Sequence, residues 1–584
     1  MINLTIDRRP VSVEPGTTVL EAAKKHGIKI PTLCYLKEIN QIGACRMCLV
    51  EVKGARGLQT SCTLPCEEGM EVTTNSQVVR DARKMVLELI LSDHNIACPT
   101  CVRVDNCELL HLSQMLGVAG LEVQGDRHPA RQDYDSPSLT IDGSKCVLCL
   151  RCVAVCREVQ GVSAISLAER GFHAKVTPFF EASINDAACA LCGQCTLVCP
   201  TGALTEHDDT DKVWKALLNP QKHVVVQTAP AIRVSIAETF GVAPGTVSTG
   251  QMVAGLRSLG FDRVFDTVFA ADLTIMEEAT ELVHRIQEGG PLPLITSCSP
   301  GWVKYAEHFF PNVLPNISSC KSPQQMFGAM AKTYYAEKEG IDPKDIVVVS
   351  IMPCTAKKFE ANRPEMNASG YQDVDYVLTT RELGRMFRQA GIDLPHLPEE
   401  AFDNPLGIGT GAGTIFAATG GVMEAALRTA AAWLQPEGDL PRLEFQEVRG
   451  AVGGVREATV TVGGLELKVA VANGLAAAGW LVEQISTGAR QYHFVEVMGC
   501  PGGCIGGGGQ PIPASGPEGL EQARKARIQA LYSIDQRMAV RRSHENPAVQ
   551  ALYAEYLGEP GGERSHHLLH THYVVRTPVG VRRK

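Results

Sequence analysis

The run CVLCLRCVAVC at residues 146–156 returns as CALCGQCTLVC at residues 189–199, with Pro200 immediately after it. Cys146, Cys149, Cys152 and Cys156 thus reappear as Cys189, Cys192, Cys195 and Cys199, each 43 residues later. Identical spacing at one fixed offset is the mark of a duplicated structural unit. The chain has 21 cysteines, 16 of them at or before Cys199. That asymmetry separates a ligand-dense front part from a larger rear part whose few cysteines each need their own explanation.

The spacing CxxCxxCxxxC, used twice and closed by a proline, is the two-cluster ferredoxin pattern, in which the fourth cysteine of each run serves the other cluster. It predicts one [4Fe–4S] cube on Cys146, Cys149, Cys152 and Cys199, and another on Cys189, Cys192, Cys195 and Cys156, in a domain at 138–210. Cysteines without metal are the weaker alternative for such a repeat.

Working upstream, Cys34, Cys45, Cys48 and Cys62 form a CxxC flanked by two distant cysteines. This supplies four thiolates to a [2Fe–2S] cluster in the plant-type manner. A structural zinc site or unrelated buried thiols are the competing readings, and Cys66 is left over as a buried thiol. Residues 2–6 and 11–13 read as short strands about a turn at Asp7–Pro10, and Thr18–His26 as a helix closed by Gly27. A [2Fe–2S] ferredoxin-like domain is therefore expected at 1–78.

Val78–Ser92 has apolar residues at helical period and leads to His94, Cys98, Cys101 and Cys107, in a unit at 79–125. One imidazole and three thiolates suit a closed zinc site; the neighbouring sets favour a His-ligated [4Fe–4S] cluster. Losing one thiolate charge raises such a cluster's potential. Four accessory clusters in a row make a wire, and a wire needs a terminus.

The 584 residues bear a net charge of −9, with 45% hydrophobic and 20% charged residues. Three to five soluble domains fit that length, and no basic footprint for nucleic acid exists. The start lacks a secretory pattern, and the most apolar later run, Val469–Val482, is too broken and short for a membrane span. A cytoplasmic location is expected, where closely spaced thiols are metal ligands before they are disulfides.

From about Gln221 strand-like runs (HVVVQ, ITSC, IVVVSIMPC, YVLTT) alternate with helical stretches, which argues for parallel α/β units with functional residues in loops at the strands' carboxyl ends. The overall expectation is a multidomain α/β protein with a two-lobed catalytic domain at 221–513. A polar, helical extension at 514–584 should pack outside it. No GxGxxG opens a helix after a strand and no GxxxxGK[ST] is present, so no nicotinamide is assigned to this chain.

Three rear segments carry the remaining chemistry: TSCSPGW (296–302), MPCTAKKFE (352–360) and EVMGCPGGCIGGGGQP (496–511). Cysteines in Gly/Pro-rich loops let backbone approach a compact ligand. Glu278 and Glu281, three apart on a helical stretch, share a face as a proton relay requires; a solvated helix face is the plainer alternative.

In order and separation these segments resemble the three signature motifs of the iron-only ([FeFe]) hydrogenases, and the likeness extends over nearly the whole chain. The resemblance implies reversible interconversion of protons, electrons and H2 at an H-cluster, a [4Fe–4S] cubane joined to a two-iron subsite bearing carbon monoxide, cyanide and an amine-containing dithiolate. It implies that Cys354, Cys500 and Cys504 hold the cubane, with Cys504 bridging to the iron pair. Cys298 would deliver protons, and Glu278, Ser318 and Glu281 would carry them to solvent. Lys357 would pair with an iron-bound cyanide, while Gln324, Met352, Met498, Phe416, Ala229 and Pro230 would line the pocket.

The sequence departs from the family at Ser299, where a second motif cysteine usually ligates the cubane. Either Ser299 binds through oxygen, or Cys320 replaces it, or that iron is held differently. The implied partners are dedicated maturation proteins and either ferredoxin or flavin-containing, NAD(P)-linked subunits. A non-catalytic electron-transfer or cluster-assembly protein of similar fold is the rival reading.

Overall fold

The computed structural model describes residues 1–118, 120–121, 123, 125–434, 446–447, 454–462 and 464–577. Asp7 and Arg8, with φ of 49° and 67°, make the whole turn of the first hairpin. Arg9 and Pro10, expected in that turn, instead open the second strand, Arg9–Val13, which pairs antiparallel with Ile2–Ile6. That strand lies at the edge of a five-stranded sheet, where proline's missing N–H costs no ladder bond. Thr18 caps the helix Val19–Lys25 by accepting from Glu21 N–H at 3.4 Å, and a long helix, Gln77–Asp93, follows.

The 43-residue repeat is written into the backbone. Leu148 and Leu150 have φ of 49° and 59°, and their counterparts Leu191 and Gly193 have 53° and 70°. A left-handed φ is costly for leucine, so its recurrence at matching positions shows that both loops wrap in the same conformation.

Four parallel strands form one catalytic sheet in the order Arg263–Asp266, His223–Thr228, Ile346–Met352, Tyr376–Thr379. Val225, Val226, Val348, Val349 and Ile351 are fully buried in it, the near-continuous apolar pattern of a sheet covered on both faces. The second sheet runs Leu294–Ile295, Phe494–Met498, Leu465–Asn473, Val455–Val462, Gln446–Glu447. Its first three strands are parallel, and the hairpin after them is antiparallel. Both sheets send the carboxyl ends of their strands toward one region: Ala229 follows Thr228, Cys354 lies two residues past Met352, and Cys500 lies two past Met498.

The front part is bolted to this domain by buried ion pairs. Arg381 donates to Glu206 at 2.5 Å and to the Gln510 carbonyl at 2.7 Å. Lys358 reaches Asp209 at 2.6 Å and Glu382 at 2.9 Å. The C-terminal region holds the helices Leu520–Arg537, Pro547–Leu552 and Glu563–Leu569. It is less peripheral than expected, because Arg527 is fully buried, pairs with Glu238 at 2.6 and 2.7 Å, and donates to the Ile505 carbonyl at 2.7 Å. Among the described residues, no helix is long and apolar enough to cross a membrane.

Candidate active site

Where the two sheets converge lies a cavity of about 70 Å³. Cys298, Ser299, Cys354, Lys357, Cys500 and Cys504 line it, together with Gln324, Met352, Met498, Phe416, Ala229 and Pro230. Residues more than 270 positions apart in sequence therefore meet, and every pocket position taken from the resemblance is among them. Thr267, Ala271, Pro323 and Ala417 also line the cavity; nothing in their sequence context distinguishes them from ordinary core.

The glycines of the last motif are required by contact. Gly503 has φ 90°, and a Cβ there would lie 2.7 Å from the Ala417 carbonyl. At Gly507 it would lie 2.2 Å from that of Pro353, so only bare backbone lets the Cys504 loop close on the Cys354 loop.

Burial dominates the electrostatics. It pushes the Cys354 thiol up to about 11 and those of Cys500 and Cys298 well above the ordinary thiol value, with Cys504 also raised. Thiols converging on one cavity fit a cationic iron cluster, whose binding displaces their protons. Lys357 Nζ donates to Glu360 at 2.8 Å and to the Cys298 carbonyl at 3.2 Å, so an ammonium is fixed at the cavity wall. The Gln324 side-chain oxygen is buried without a partner.

Ser299 Oγ accepts from Gly499 N–H at 3.1 Å at the cavity edge. Cys320 is absent from the lining; its Sγ faces Glu281 Oε2 at 3.7 Å. Of the two residues weighed for the missing ligand, Ser299 stands in the cavity and Cys320 outside it.

Glu278 is 2% exposed, with neither carboxylate oxygen in hydrogen-bonding geometry. Burial, reinforced by the charges of Glu281 and Glu496, raises its carboxyl to about 8. Glu281 accepts from Ser318 Oγ at 2.7 Å and from Arg285 at 2.5 Å, with a side chain 14% exposed. These two glutamates line no solvated face. Ser318 and the C-terminal strap cover them, with the Tyr573 hydroxyl donating to the Ser318 carbonyl at 2.5 Å.

In the front part, Asn40 Nδ2 donates to the carbonyls of both Cys34 (2.8 Å) and Cys149 (2.9 Å). Arg103, beside Cys101, donates to the Cys199 carbonyl at 3.0 Å. The segments that carry Cys34 and Cys101 thus both touch the loops of the repeat, at Cys149 and at Cys199. His94 is buried and its Nδ1 has no partner; burial depresses its pKa, leaving a neutral imidazole with a ligand atom to offer. Among the described residues, only Glu281, Cys320 and His570 bring three Cys, His or acidic ligand atoms within 4.8 Å of one another.

Repeated cysteine loops that lead to a cysteine-lined cavity, with the buried Glu278 on a neighbouring helix, define a multi-cluster iron–sulfur redox enzyme. The profile described as "Iron only hydrogenase large subunit, C-terminal domain" matches residues 222–508, and "Iron hydrogenase small subunit" matches 521–576. Residues 1–77 match a "2Fe-2S iron-sulfur cluster binding domain". Residues 83–120 match an "NADH-ubiquinone oxidoreductase-G iron-sulfur binding region", and 136–205 match an "NADH-quinone oxidoreductase subunit 3, ferredoxin-like domain". The NADP-reducing hydrogenase subunit HndD of Solidesulfovibrio fructosivorans is 49% identical over 99% of each chain. Iron hydrogenase 1 of Clostridium pasteurianum is 42% identical over 98% of this chain and 100% of its own. A solved apo [FeFe]-hydrogenase HydA1 variant from Chlamydomonas reinhardtii is 46% identical over 63% of this chain and 100% of its own, with a TM-score of 0.57. The chain belongs to the iron-only hydrogenase family.

Proposed function

We propose that this iron-only hydrogenase interconverts H2 with two protons and two electrons at an H-cluster held in the cavity by Cys354, Cys500, Cys504 and Ser299. When bound, that group supplies the open metal position at which the H–H bond is made or split. Cys298 holds the proton nearest the reacting site and exchanges it with Glu278; Ser318 and Glu281 continue the path outward. Raised to about 8, Glu278 holds its proton at neutral pH yet sits close enough to that pH to release it, the poise a proton carrier needs. Lys357 offers the fixed positive charge an anionic cyanide requires. Gln324, Met352, Met498, Phe416, Ala229 and Pro230 exclude water.

One [2Fe–2S] cluster on Cys34, Cys45, Cys48 and Cys62, one [4Fe–4S] cluster on His94, Cys98, Cys101 and Cys107, and the two cubes of the repeat feed electrons to that site. In this reading the units are 1–78, 79–125, 138–210, 221–513 and 514–584. HndD is by name a subunit of an NADP-reducing hydrogenase, which supports a pyridine-nucleotide-linked, flavin-bearing partner over free-standing exchange with ferredoxin. Dedicated maturation proteins and a cytoplasmic location complete the reading.

The observation that carries it is the meeting of Cys298, Lys357 and the Cys354, Cys500 and Cys504 thiols in one cavity. A non-catalytic carrier or cluster-assembly protein needs neither Cys298 nor Lys357 at this cavity. A matured sample should evolve H2 from a reduced dye and show infrared bands of metal-bound carbon monoxide and cyanide. Inorganic sulfide clusters alone, with no gas turnover, would refute it.

A further inference from the structure

Glu281, Cys320 and His570 come from three parts of the chain: the helix Thr267–Glu288, the segment after Ile317, and the end of the helix Glu563–Leu569. A carboxylate oxygen, the Sγ and a ring nitrogen of these residues lie within 4.8 Å of one another. Backbone pairing holds two of them in register. Cys320 and His570 form an antiparallel bridge, Lys321 N–H donates to the Leu569 carbonyl at 2.7 Å, and Thr571 N–H donates to that of Ser319 at 2.7 Å. Glu281 is fixed by Arg285 and Ser318.

His570 adds an independent sign. Its Nε2 lies 3.0 Å from Glu277 Oε2, and Glu277 is itself held by Gly561 N–H at 2.8 Å and by the Tyr553 hydroxyl. A carboxylate so placed accepts a hydrogen bond from Nε2–H and leaves Nδ1 as the nitrogen that can face a metal, the outer-shell arrangement by which proteins orient metal-binding histidines. Nδ1 now meets only the Ser319 hydroxyl, at 2.8 Å, a rotor that can turn aside. After burial itself, the charges of Glu281 and Glu277 help raise the pKa of the fully buried Cys320 thiol. A cation bound there would meet both carboxylates.

We propose that Glu281, Cys320 and His570 form a site for a single Zn2+ ion, separate from every cluster cysteine. One thiolate, one imidazole and one carboxylate make a zinc donor set; Mg2+ and Ca2+ prefer oxygen alone. Binding is a proton exchange without electron transfer. The Zn–S bond replaces the Cys320 S–H bond, the proton leaves to solvent, and a water completes the tetrahedron. Because Glu281 is the outer carboxylate of the relay, a filled site stops proton passage; that consequence rests on the reading above.

The test uses the fully loaded, full-length enzyme, incubated with equimolar Zn2+ and desalted, with the metal counted and X-ray absorption read at the zinc edge. About one zinc per chain should remain, with a single sulfur near 2.3 Å and nitrogen or oxygen near 2.0–2.1 Å. Cys320→Ala should lose the sulfur shell and bind at least about tenfold more weakly, and His570→Gln should weaken binding similarly, both at unchanged iron content. Absence of retained zinc, a shell of several sulfurs, or binding indifferent to both substitutions would overturn the site. H2 oxidation and evolution should fall together and return with a chelator. A single-sulfur zinc with full turnover upholds the site and removes Glu281 from the relay, so the two readings fail separately.

Discussion

Gln194 donates its side-chain amide to the Gly506 carbonyl at 2.9 Å, joining the Cys189–Cys199 loop to the loop that carries Cys504. Thr196 Oγ1 reaches the Gly508 carbonyl at 3.0 Å and Thr355 Oγ1 reaches that of Leu191 at 2.7 Å, so the last accessory site and the catalytic site share a wall. Gln194→Ala leaves a buried carbonyl unsatisfied, at a cost of about 1–3 kcal/mol. Dye-coupled turnover should fall several-fold while H2/D+ exchange, which needs no external electrons, is retained. Measuring both on one preparation checks this.

The pH dependence follows from Glu278. Its carboxyl is raised from 4.5 to about 8, so between those values the native state binds a proton that the unfolded chain has released. The stabilisation is complete below the unfolded value and is lost as pH rises through about 8. Glu278→Gln, neutral at every pH, should flatten the thermal midpoint across that window. It should also lower turnover by about 10²-fold or more. An unchanged pH profile in the variant would remove Glu278 from the path.

On the proposed ligation, Ser299→Cys replaces a hard alkoxide donor by a soft thiolate. The alkoxide favours ferric iron, so the cubane potential should rise in the variant, with iron content unchanged. Ser299→Ala should leave one iron labile. Potentiometric titration followed by electron paramagnetic resonance reads both.

On the proposed ligation, His94→Cys gives the cluster on Cys98, Cys101 and Cys107 a fourth thiolate, and with it a negative charge. Its potential should drop, without loss of iron and without zinc in the product. Metal analysis together with the redox titration tests this.

Arg527→Met breaks the buried pair with Glu238 and frees the Ile505 carbonyl beside Cys504. Removing one partner of a buried pair costs about 3–5 kcal/mol. The variant should unfold earlier in denaturant and retain less H-cluster, seen as weaker carbonyl and cyanide infrared bands.

Much of this was legible in the chain because cluster ligation is local. The two CxxCxxCxxxC loops bend alike, with left-handed residues at matching positions, and the repeat at Cys146 and Cys189 makes the duplication plain. The alternation of apolar runs such as IVVVSIM with helical stretches marked the catalytic sheets, and Gly503 and Gly507 marked a close backbone approach. The contact at Asn40 was not legible, since it reaches the Cys149 carbonyl 109 residues further along the chain. Nor was the burial of Glu278 and Glu281, which an isolated helix would expose.

By itself the sequence determined which atoms could bind iron, because thiolate spacing within a loop is set by the chain's own geometry. Only the tertiary structure decided which loops face one another. Ser299 stands in the cavity, Cys320 turns to Glu281, and the C-terminal strap closes over the carboxylates, because contacts between distant segments follow from how two sheets and their covering helices pack.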